Sequence, residues 1–312
     1  MAILLDKALW LPSFHLADSC VGGRAKKESS MKSSLALAVL LGLSMSLAAS
    51  ATTAVTKFAS GTDKWGYTAV QNGGSASIVN LLGAGGNLES AAPLGKDAAY
   101  LVTNGTDQSK AEVGINHDFG LLKNAISTIN LSYNYYKTLV PGGNASAAPT
   151  LKLGIWTGTT TQYLVYEPYW NTQGNPPTGA WQAMSINGTT GSGADGSGGW
   201  WTTGMFGQPS GAGGPPVRSL AEWNTLFMQN SSYANAVDSP TRKVAGDIVY
   251  LGIGIGTYNR STSVYFDDVH ANVNEFNETY DFQTVPEPLT MIALFGAIGA
   301  VGTYVRRRQA RA

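Results

Sequence analysis

Thiols and charged side chains are both scarce in this sequence of 312 residues. The single cysteine, Cys20, lies among the first 30 residues, so we expect no thiol in the domain that follows residue 51. This excludes a disulfide framework and cysteine-dependent catalysis. Charged residues make up only 13% of the chain, which is too few for a coiled coil or a charged disordered protein.

Recognisable catalytic motifs are missing as well. The sequence has no G-x-S-x-G turn, no P-loop, no H-E-x-x-H or H-x-H pair and no E-x-D-x-x-E pattern of the jelly-roll glucanases. The run Gly252–Gly256 lacks the spacing of a dinucleotide-binding loop, and its alternating glycines predict close packing of a sheet. We therefore expect a protein that is not an enzyme. A secreted glycan-active hydrolase is the alternative, in which Glu167, an acid among aromatic residues, would need a second carboxylate.

The charge balance of the central region gives no support to nucleic-acid binding. From residue 52 to residue 288 the sequence has 11 basic and 17 acidic residues, a net charge of −6. Proteins that bind nucleic acid present a basic surface instead. We expect no nucleic-acid partner.

Glycine and aromatic residues are abundant, with 38 Gly, 14 Tyr and 8 Trp. Apolar runs bounded by Gly, Asn, Pro and Ser are typical of strands joined by turns. The predicted strands are Ala98–Val102, Ile126–Tyr136, Thr150–Thr157, Thr161–Glu167, Trp181–Ser185, Ile248–Gly256, Ser263–Val273 and Thr279–Gln283. They predict an all-β protein with one β-sandwich or jelly-roll domain over residues 52–284. A helix is predicted over Leu220–Met228, because Ser219 and Glu222 have the spacing of a capping box.

The N-terminal region has the pattern of a secretory signal peptide. A short positive start at Met31, the apolar run Leu35–Leu47 and an A-x-A sequence ending at Ala51 predict a signal peptide over 31–51. Residues 1–30 fit no part of this pattern. We interpret them as a non-native extension before the true start, with a genuine extension as the alternative.

The C-terminal region combines three elements. A Pro-Glu-Pro sequence precedes an uncharged stretch, residues 289–305, which a cluster of arginines follows. As a helix this stretch would cover about 26 Å, enough to span a thin bilayer, and the arginines would remain in the cytoplasm. The motif residues are Val285, Pro286, Glu287, Pro288, Arg306, Arg307 and Arg308.

This order of elements over residues 285–312 resembles the PEP-CTERM sorting signal of diderm bacteria. The resemblance implies that an exosortase-type membrane protease recognises and cuts the segment. It also implies a transient stay in the inner membrane, followed by release to the cell surface or the extracellular matrix. A plain C-terminal membrane anchor is the alternative.

The stretch from Ile248 to Val269 is similar to the closing strands of concanavalin-like and carbohydrate-binding jelly rolls. Modules of that type often hold a structural calcium ion near the closing strand, so the resemblance implies Asp267 as a calcium ligand. Alternation with Val269, Ala271 and Val273 predicts that Asp267 points inward, where a carboxylate needs a partner. Backbone N–H groups or hydroxyl groups would serve equally well.

Aromatic residues near glycine-rich loops are the candidates for ligand binding, because exposed rings can stack on sugar rings. The candidates are Tyr166, Tyr169, Trp170, Trp181, Trp200 and Trp201. Core packing is the competing interpretation, which the apolar alternation around Trp156 favours for that residue. Three hypotheses follow: a non-catalytic surface or matrix protein that binds polysaccharide, a glycan hydrolase, and a purely structural or adhesive envelope protein.

Overall fold

The computed structural model describes residues 52–138, 140–172, 174–191, 198–211 and 216–284. The predicted N-terminal extension, the signal peptide and the C-terminal sorting segment with its motif residues lie outside the described residues. Within the described ranges, no helix is long and apolar enough to span a membrane.

The described residues form thirteen strands and five short helices. The strands are β1 (Thr52–Val55), β2 (Trp65–Tyr67), β3 (Ser75–Asn80), β4 (Asp97–Val102), β5 (Ala111–Asn116), β6 (Asn130–Thr138), β7 (Thr150–Trp156), β8 (Thr161–Tyr166), β9 (Trp181–Asn187), β10 (Trp200–Thr202), β11 (Ile248–Ile255), β12 (Ser263–Val273) and β13 (Phe276–Phe282). The helices are α1 (Gly86–Ser90), α2 (Leu122–Ala125), α3 (Pro168–Asn171), α4 (Leu220–Phe227) and α5 (Ser231–Ala234).

The strands build a β-sandwich of two sheets. The six-stranded sheet has the order β10-β8-β7-β11-β5-β2. In the seven-stranded sheet, β12 pairs with β6 on one side, and β9 extends that side. On its other side β12 pairs first with β4 and then with β13, and its register against β6 shifts between Asp267 and His270. Asp268 has a φ of 52° at this bulge, which bends the strand and lets its neighbour change.

The core lies between the two sheets and follows the alternation of apolar residues. Leu151, Leu153 and Ile155 of β7 are fully buried in it. Trp223 on α4 is also fully buried, and its indole N–H donates to the carbonyl oxygen of Trp200 at 2.7 Å. The helix therefore closes one edge of the sandwich through both apolar contact and a hydrogen bond.

The predicted capping box of α4 is confirmed. Ser219 accepts a hydrogen bond from the backbone N–H of Glu222, and the Glu222 side chain accepts one from the backbone N–H of Ser219. A cap of this kind is worth about 1 kcal/mol of helix stability.

Several strand predictions need correction. The strand predicted from Ile126 begins only at Asn130, because α2 and the turn after it precede the strand. Five strands were not predicted: β1, β2, β3, β5 and β10. The sandwich is also not wholly antiparallel, since β1 pairs with β13 in parallel. Trp156 is only half-buried, because the alternation that buries Ile155 turns the next residue outward.

Candidate functional site

The face of the six-stranded sheet that points away from the core, here called the outer face, is the candidate functional site. Because Leu151, Leu153 and Ile155 point into the core, alternation turns Lys152 and Gly154 to the outer face. The residues of β8 and β11 that pair with Lys152 and Gly154 point to the same face.

Glycines form the floor of this face. Gly252 of β11 lies in register with Gly114 of β5 and with Lys152 of β7. A Cβ atom added to Gly252 would lie 1.9 Å from the Tyr250 hydroxyl oxygen, and one added to Gly114 would lie 2.4 Å from it. The Tyr250 ring therefore lies across these glycines. The alternating glycines accommodate a tyrosine on the outer face, which corrects the prediction that they serve the packing of a sheet.

An ion-pair cluster fills the middle of the outer face. The Glu112 carboxylate is bonded to the Lys152 ammonium, and its Oε2 lies 3.2 Å from the Nζ of Lys110. The Tyr250 hydroxyl donates to its Oε1 at 3.0 Å. Burial by itself would raise the pKa of Glu112, but the two lysines lower it overall, so the carboxylate is ionised. We call these four residues the polar trough.

A cleft of about 260 Å³ opens at one end of the outer face. Thr150, the first residue of β7, and Glu167, the residue after β8, lie beside it. Its aromatic wall is Tyr169 and Trp170 on α3, whose ring centroids are 5.1 Å apart at 79°. Both rings are half-buried, so each keeps an accessible surface. We call this cavity the aromatic cleft.

Glu167 holds two tryptophans of this region in place. Its Oε1 accepts a hydrogen bond from the Trp201 indole N–H at 3.1 Å, and the Trp170 side chain also bonds to its carboxylate. Burial raises the pKa of Glu167, although Trp201, Lys152 and Trp170 act in the opposite direction. The carboxylate is thus engaged in orienting indole rings at the mouth of the cleft.

Tyr258 is a residue of the cleft that the sequence did not single out. It lies in the turn between β11 and β12 and is 74% exposed. Its φ of 67° is a left-handed conformation that costs an aromatic residue free energy. The turn fixes it in part through a bond from its backbone N–H to the Asp107 carbonyl at 2.7 Å. The sequence did offer one signal for this residue, because Tyr258 stands in the turn between the predicted strands Ile248–Gly256 and Ser263–Val273.

The structure brings together only part of the predicted aromatic set. Trp170 and Trp201 meet at Glu167, and Tyr169 packs against Trp170. Tyr166 and Trp200 are 4% and 0% exposed, with ring centroids 5.4 Å apart in the core. They have no free face for a sugar ring, which corrects their assignment as ligand-binding candidates.

Trp181 lies on the other sheet, at its β9 edge. Its indole N–H donates to the Leu88 carbonyl at 3.1 Å. Its ring begins a row of half-buried aromatic residues that continues through Tyr136 and Tyr265 to Tyr100 on adjacent strands. Trp181 is therefore separate from the aromatic cleft.

Comparison with known proteins gives few matches. No family model matches the sequence, and no curated protein matches it. Among solved structures, the family 11 carbohydrate-binding module from Clostridium thermocellum in complex with a β-1,3-1,4-mixed-linked tetrasaccharide is 11% identical, with 69% of this chain and 92% of that chain covered and a TM-score of 0.34. At this level the likeness establishes neither a family nor a ligand.

Two further solved structures are similar to the same degree. The family 11 module of the cellulosomal cellulase Lic26A-Cel5E of Clostridium thermocellum is 12% identical, with 71% of this chain and 94% of that chain covered and a TM-score of 0.34. The cellulose induced protein Cip1 is 15% identical, with 67% and 91% covered and a TM-score of 0.33.

Asp267 is fully buried, as its predicted inward position required. Its Oδ1 accepts a hydrogen bond from the Phe282 backbone N–H at 3.0 Å, while its Oδ2 has no hydrogen-bond partner among the described residues. Oδ1 of the nearby Asp281 is also buried without a partner there. The described residues contain no group of three or more His, Cys, Asp or Glu side chains arranged for a metal ion. A proton or a cation would each satisfy such oxygens.

Proposed function

We propose that this is a non-catalytic protein that binds polysaccharide in the aromatic cleft on the outer face of the six-stranded sheet. The observation that carries the proposal is the cleft itself, where the half-buried rings of Tyr169 and Trp170 line the cavity and Glu167 bonds to Trp170. Tyr258 stands beside it in a strained, exposed conformation. Rigid, half-exposed rings around a cavity bring large contact area with little rotamer entropy to lose, which suits sugar rings.

The geometry of the acids supports binding over hydrolysis. A glycosidase needs two carboxylates that flank the scissile bond. Glu112, the other acid on the outer face, has a side chain only 6% exposed, and it is tied to Lys152 and Lys110. Glu167 is engaged by two indoles. Glu112 is thus tied up in ion pairs, and Glu167 is the only acid among the described residues that line the cleft, so no carboxylate faces it across the cavity.

Export and sorting complete the proposal. The signal peptide 31–51 and the segment 285–312 support a protein that crosses the inner membrane, is cut by an exosortase-type protease and reaches the cell surface or matrix. There its partner would be extracellular polysaccharide.

The proposal predicts that Trp170→Ala weakens polysaccharide binding about tenfold or more, because burying one aromatic side chain against a ligand is worth about 1.5–3 kcal/mol. The measurement is affinity electrophoresis in gels that contain mixed-linkage β-glucan, xylan or polygalacturonate. Trp181→Ala is the matched control, since it removes a half-buried tryptophan from the other sheet. It should migrate like the parent protein.

Two outcomes would overturn the proposed site. If no gel retards the parent protein, the polysaccharide-binding function fails. If Trp181→Ala loses retardation while Trp170→Ala keeps it, binding belongs to the aromatic row of the seven-stranded sheet.

We propose calcium as the group that completes the buried site at Asp267. Burial raises the pKa of Asp267 to about 7; hydrogen bonds from the backbone N–H groups of Phe282 and Asp268 partly oppose the rise, and the charges of Asp281 and Asp268 reinforce it. The unfolded chain has an ordinary aspartate pKa of about 4. Without calcium the native state therefore holds a proton that the unfolded state lacks between these values, and stability falls as pH rises from about 4 to about 7.

The proposed calcium site predicts that stability falls with rising pH when calcium is absent and is restored when calcium is added. In EDTA, the free energy of unfolding measured in urea should fall between pH 5 and pH 8, and Asp267→Asn should remove most of that fall. Calcium at pH 8 should restore stability to the parent protein and have no effect on Asp267→Asn. Equal stability with calcium and EDTA would reject the calcium ion.

A further inference from the structure

A second cavity lies at the opposite end of the outer face from the aromatic cleft. Its volume is about 400 Å³. Its aromatic wall is Trp156, the last residue of β7, and its polar lining comes from α5 and the segment that follows it. The residues of interest are Trp156, Ser231, Ser232, Asn235, Arg242 and Lys243. We call this cavity the basic pocket.

The basic pocket carries two cations without anionic partners. Arg242 and Lys243 are exposed, and within the described part of the chain neither lies within ion-pair distance of a carboxylate. The Lys243 ammonium lies 5.9 Å from the centre of the Trp156 ring, which holds it over the aromatic wall. Ser231 and Ser232 add exposed hydroxyl groups on the other side of the cavity.

The basic pocket and the aromatic cleft lie on one strand. Thr150 borders the cleft and Trp156 borders the pocket, and the six steps along β7 from one residue to the other cover about 20 Å. Lys152 lies between them, and the Tyr250 and Tyr163 side chains lie over Gly154. The aromatic cleft, the polar trough and the basic pocket thus follow one another along β7, and we call them together the strip.

The strip carries more basic than acidic residues, whereas the domain as a whole is acidic. Lys110, Lys152, Arg242 and Lys243 are four of the 11 basic residues between positions 52 and 288, where the net charge is −6. Glu112 and Glu167 are the acids on the strip itself. This concentration of positive charge would attract an anionic ligand to the outer face and repel it from the rest of the domain.

From this arrangement we infer that the ligand is an acidic polysaccharide, and that the basic pocket binds one of its carboxylate or sulfate groups while the aromatic cleft stacks on a sugar ring farther along the chain. The inference rests on the proposed function and names its substrate class. The guanidinium of Arg242 and the ammonium of Lys243 would donate to the anionic group, and the Ser231 and Ser232 hydroxyls would add neutral hydrogen bonds.

Two acids, Asp247 and Asp238, lie near the pocket and oppose this attraction. Asp247 is fully buried, and it lies close enough to Lys243 that the lysine charge acts to lower the pKa of Asp247. Its Oδ2 accepts a hydrogen bond from the Val244 backbone N–H, which compensates part of its negative charge. The two exposed cations are therefore opposed by the buried Asp247 and the exposed Asp238, and neither acid lies within ion-pair distance of them.

The test compares one polysaccharide backbone in charged and neutral forms. The probes are polygalacturonate and its fully methyl-esterified form, together with a sulfated galactan, titrated calorimetrically into the parent protein. We expect polygalacturonate to bind at least about tenfold more tightly than the ester at low salt, and less so at high salt. Comparison with the sulfated galactan distinguishes carboxylate from sulfate as the source of the charge.

Variants separate this inference from the proposed function. Arg242→Gln with Lys243→Gln should weaken binding of the acidic chain about tenfold and leave binding of the neutral ester unchanged. Trp170→Ala should weaken both. If the double variant binds the acidic chain like the parent while Trp170→Ala does not, the inference fails and the proposed function stands. If the parent binds none of these three probes but is retarded by mixed-linkage β-glucan or xylan, the inference fails and the proposed function stands. If it binds no polysaccharide tested, both fail.

Discussion

Glu112→Gln should lower the free energy of unfolding by about 3–5 kcal/mol, the usual cost of removing one partner from a buried ion pair. The glutamine would keep an oxygen for the Tyr250 hydroxyl and lose the charge that compensates Lys152 and Lys110. The Lys152 side chain is only 13% exposed, so its ammonium would remain desolvated without an anion. Urea denaturation at neutral pH measures the change.

The control for this prediction removes both charges. Glu112→Gln combined with Lys152→Met should recover much of the lost stability, because no unpaired buried charge remains apart from the more exposed Lys110. A loss below about 1 kcal/mol for Glu112→Gln alone would mean that the pair behaves like an exposed surface salt bridge. The polar trough would then not be a rigid part of the outer face.

Trp200→Ala should cost about 3–5 kcal/mol of stability, since it empties a fully buried site of its largest possible side chain. The ring packs against Tyr166, and the backbone carbonyl of the same residue accepts the Trp223 indole hydrogen bond. Loss of the ring therefore loosens the contact between β10 and α4 as well. Thermal or urea unfolding measures the effect.

The adjacent tryptophan is the matched control. Trp201 points to the outer face and bonds to Glu167, so Trp201→Ala should cost only about 1 kcal/mol. It should instead weaken polysaccharide binding, because Glu167 and Trp170 lose their support. Equal losses of stability from the two variants would contradict the assignment of one ring to the core and the other to the site.

Alternation of apolar residues was enough to predict the class of fold. The sequence segments of β4, β7, β8, β11 and β12 are long and rich in β-branched or aromatic residues. The two-residue period of a strand is therefore easy to recognise in them. The strands that were missed have weaker patterns. β2 and β10 have three residues each, and β5 interrupts its pattern with Glu112 and Gly114. Both residues point to the outer face, where Glu112 pairs with lysines and Gly114 lies beneath the Tyr250 ring.

The candidate site was predictable only where its residues are neighbours in sequence. Glu167, Tyr169 and Trp170 form one short run, and the sequence identified them as candidates. Glu112 and Lys152 are 40 positions apart, and β11 separates their strands. Their pairing depends on the order of strands in the sheet, which no local pattern reveals. Burial of Trp200 and exposure of Trp201 required the direction of β10, since alternation alone leaves both assignments open.

The central claim is that a polysaccharide binds along the outer face of the six-stranded sheet. The most direct measurement follows the isotope-labelled indole N–H resonances of the tryptophans while polygalacturonate oligosaccharides are added to the protein. The account predicts shifts for Trp170, Trp201 and Trp156, and unchanged resonances for the buried Trp200 and for Trp181 on the other sheet. Shifts confined to Trp181, or no shift in any indole, would contradict it.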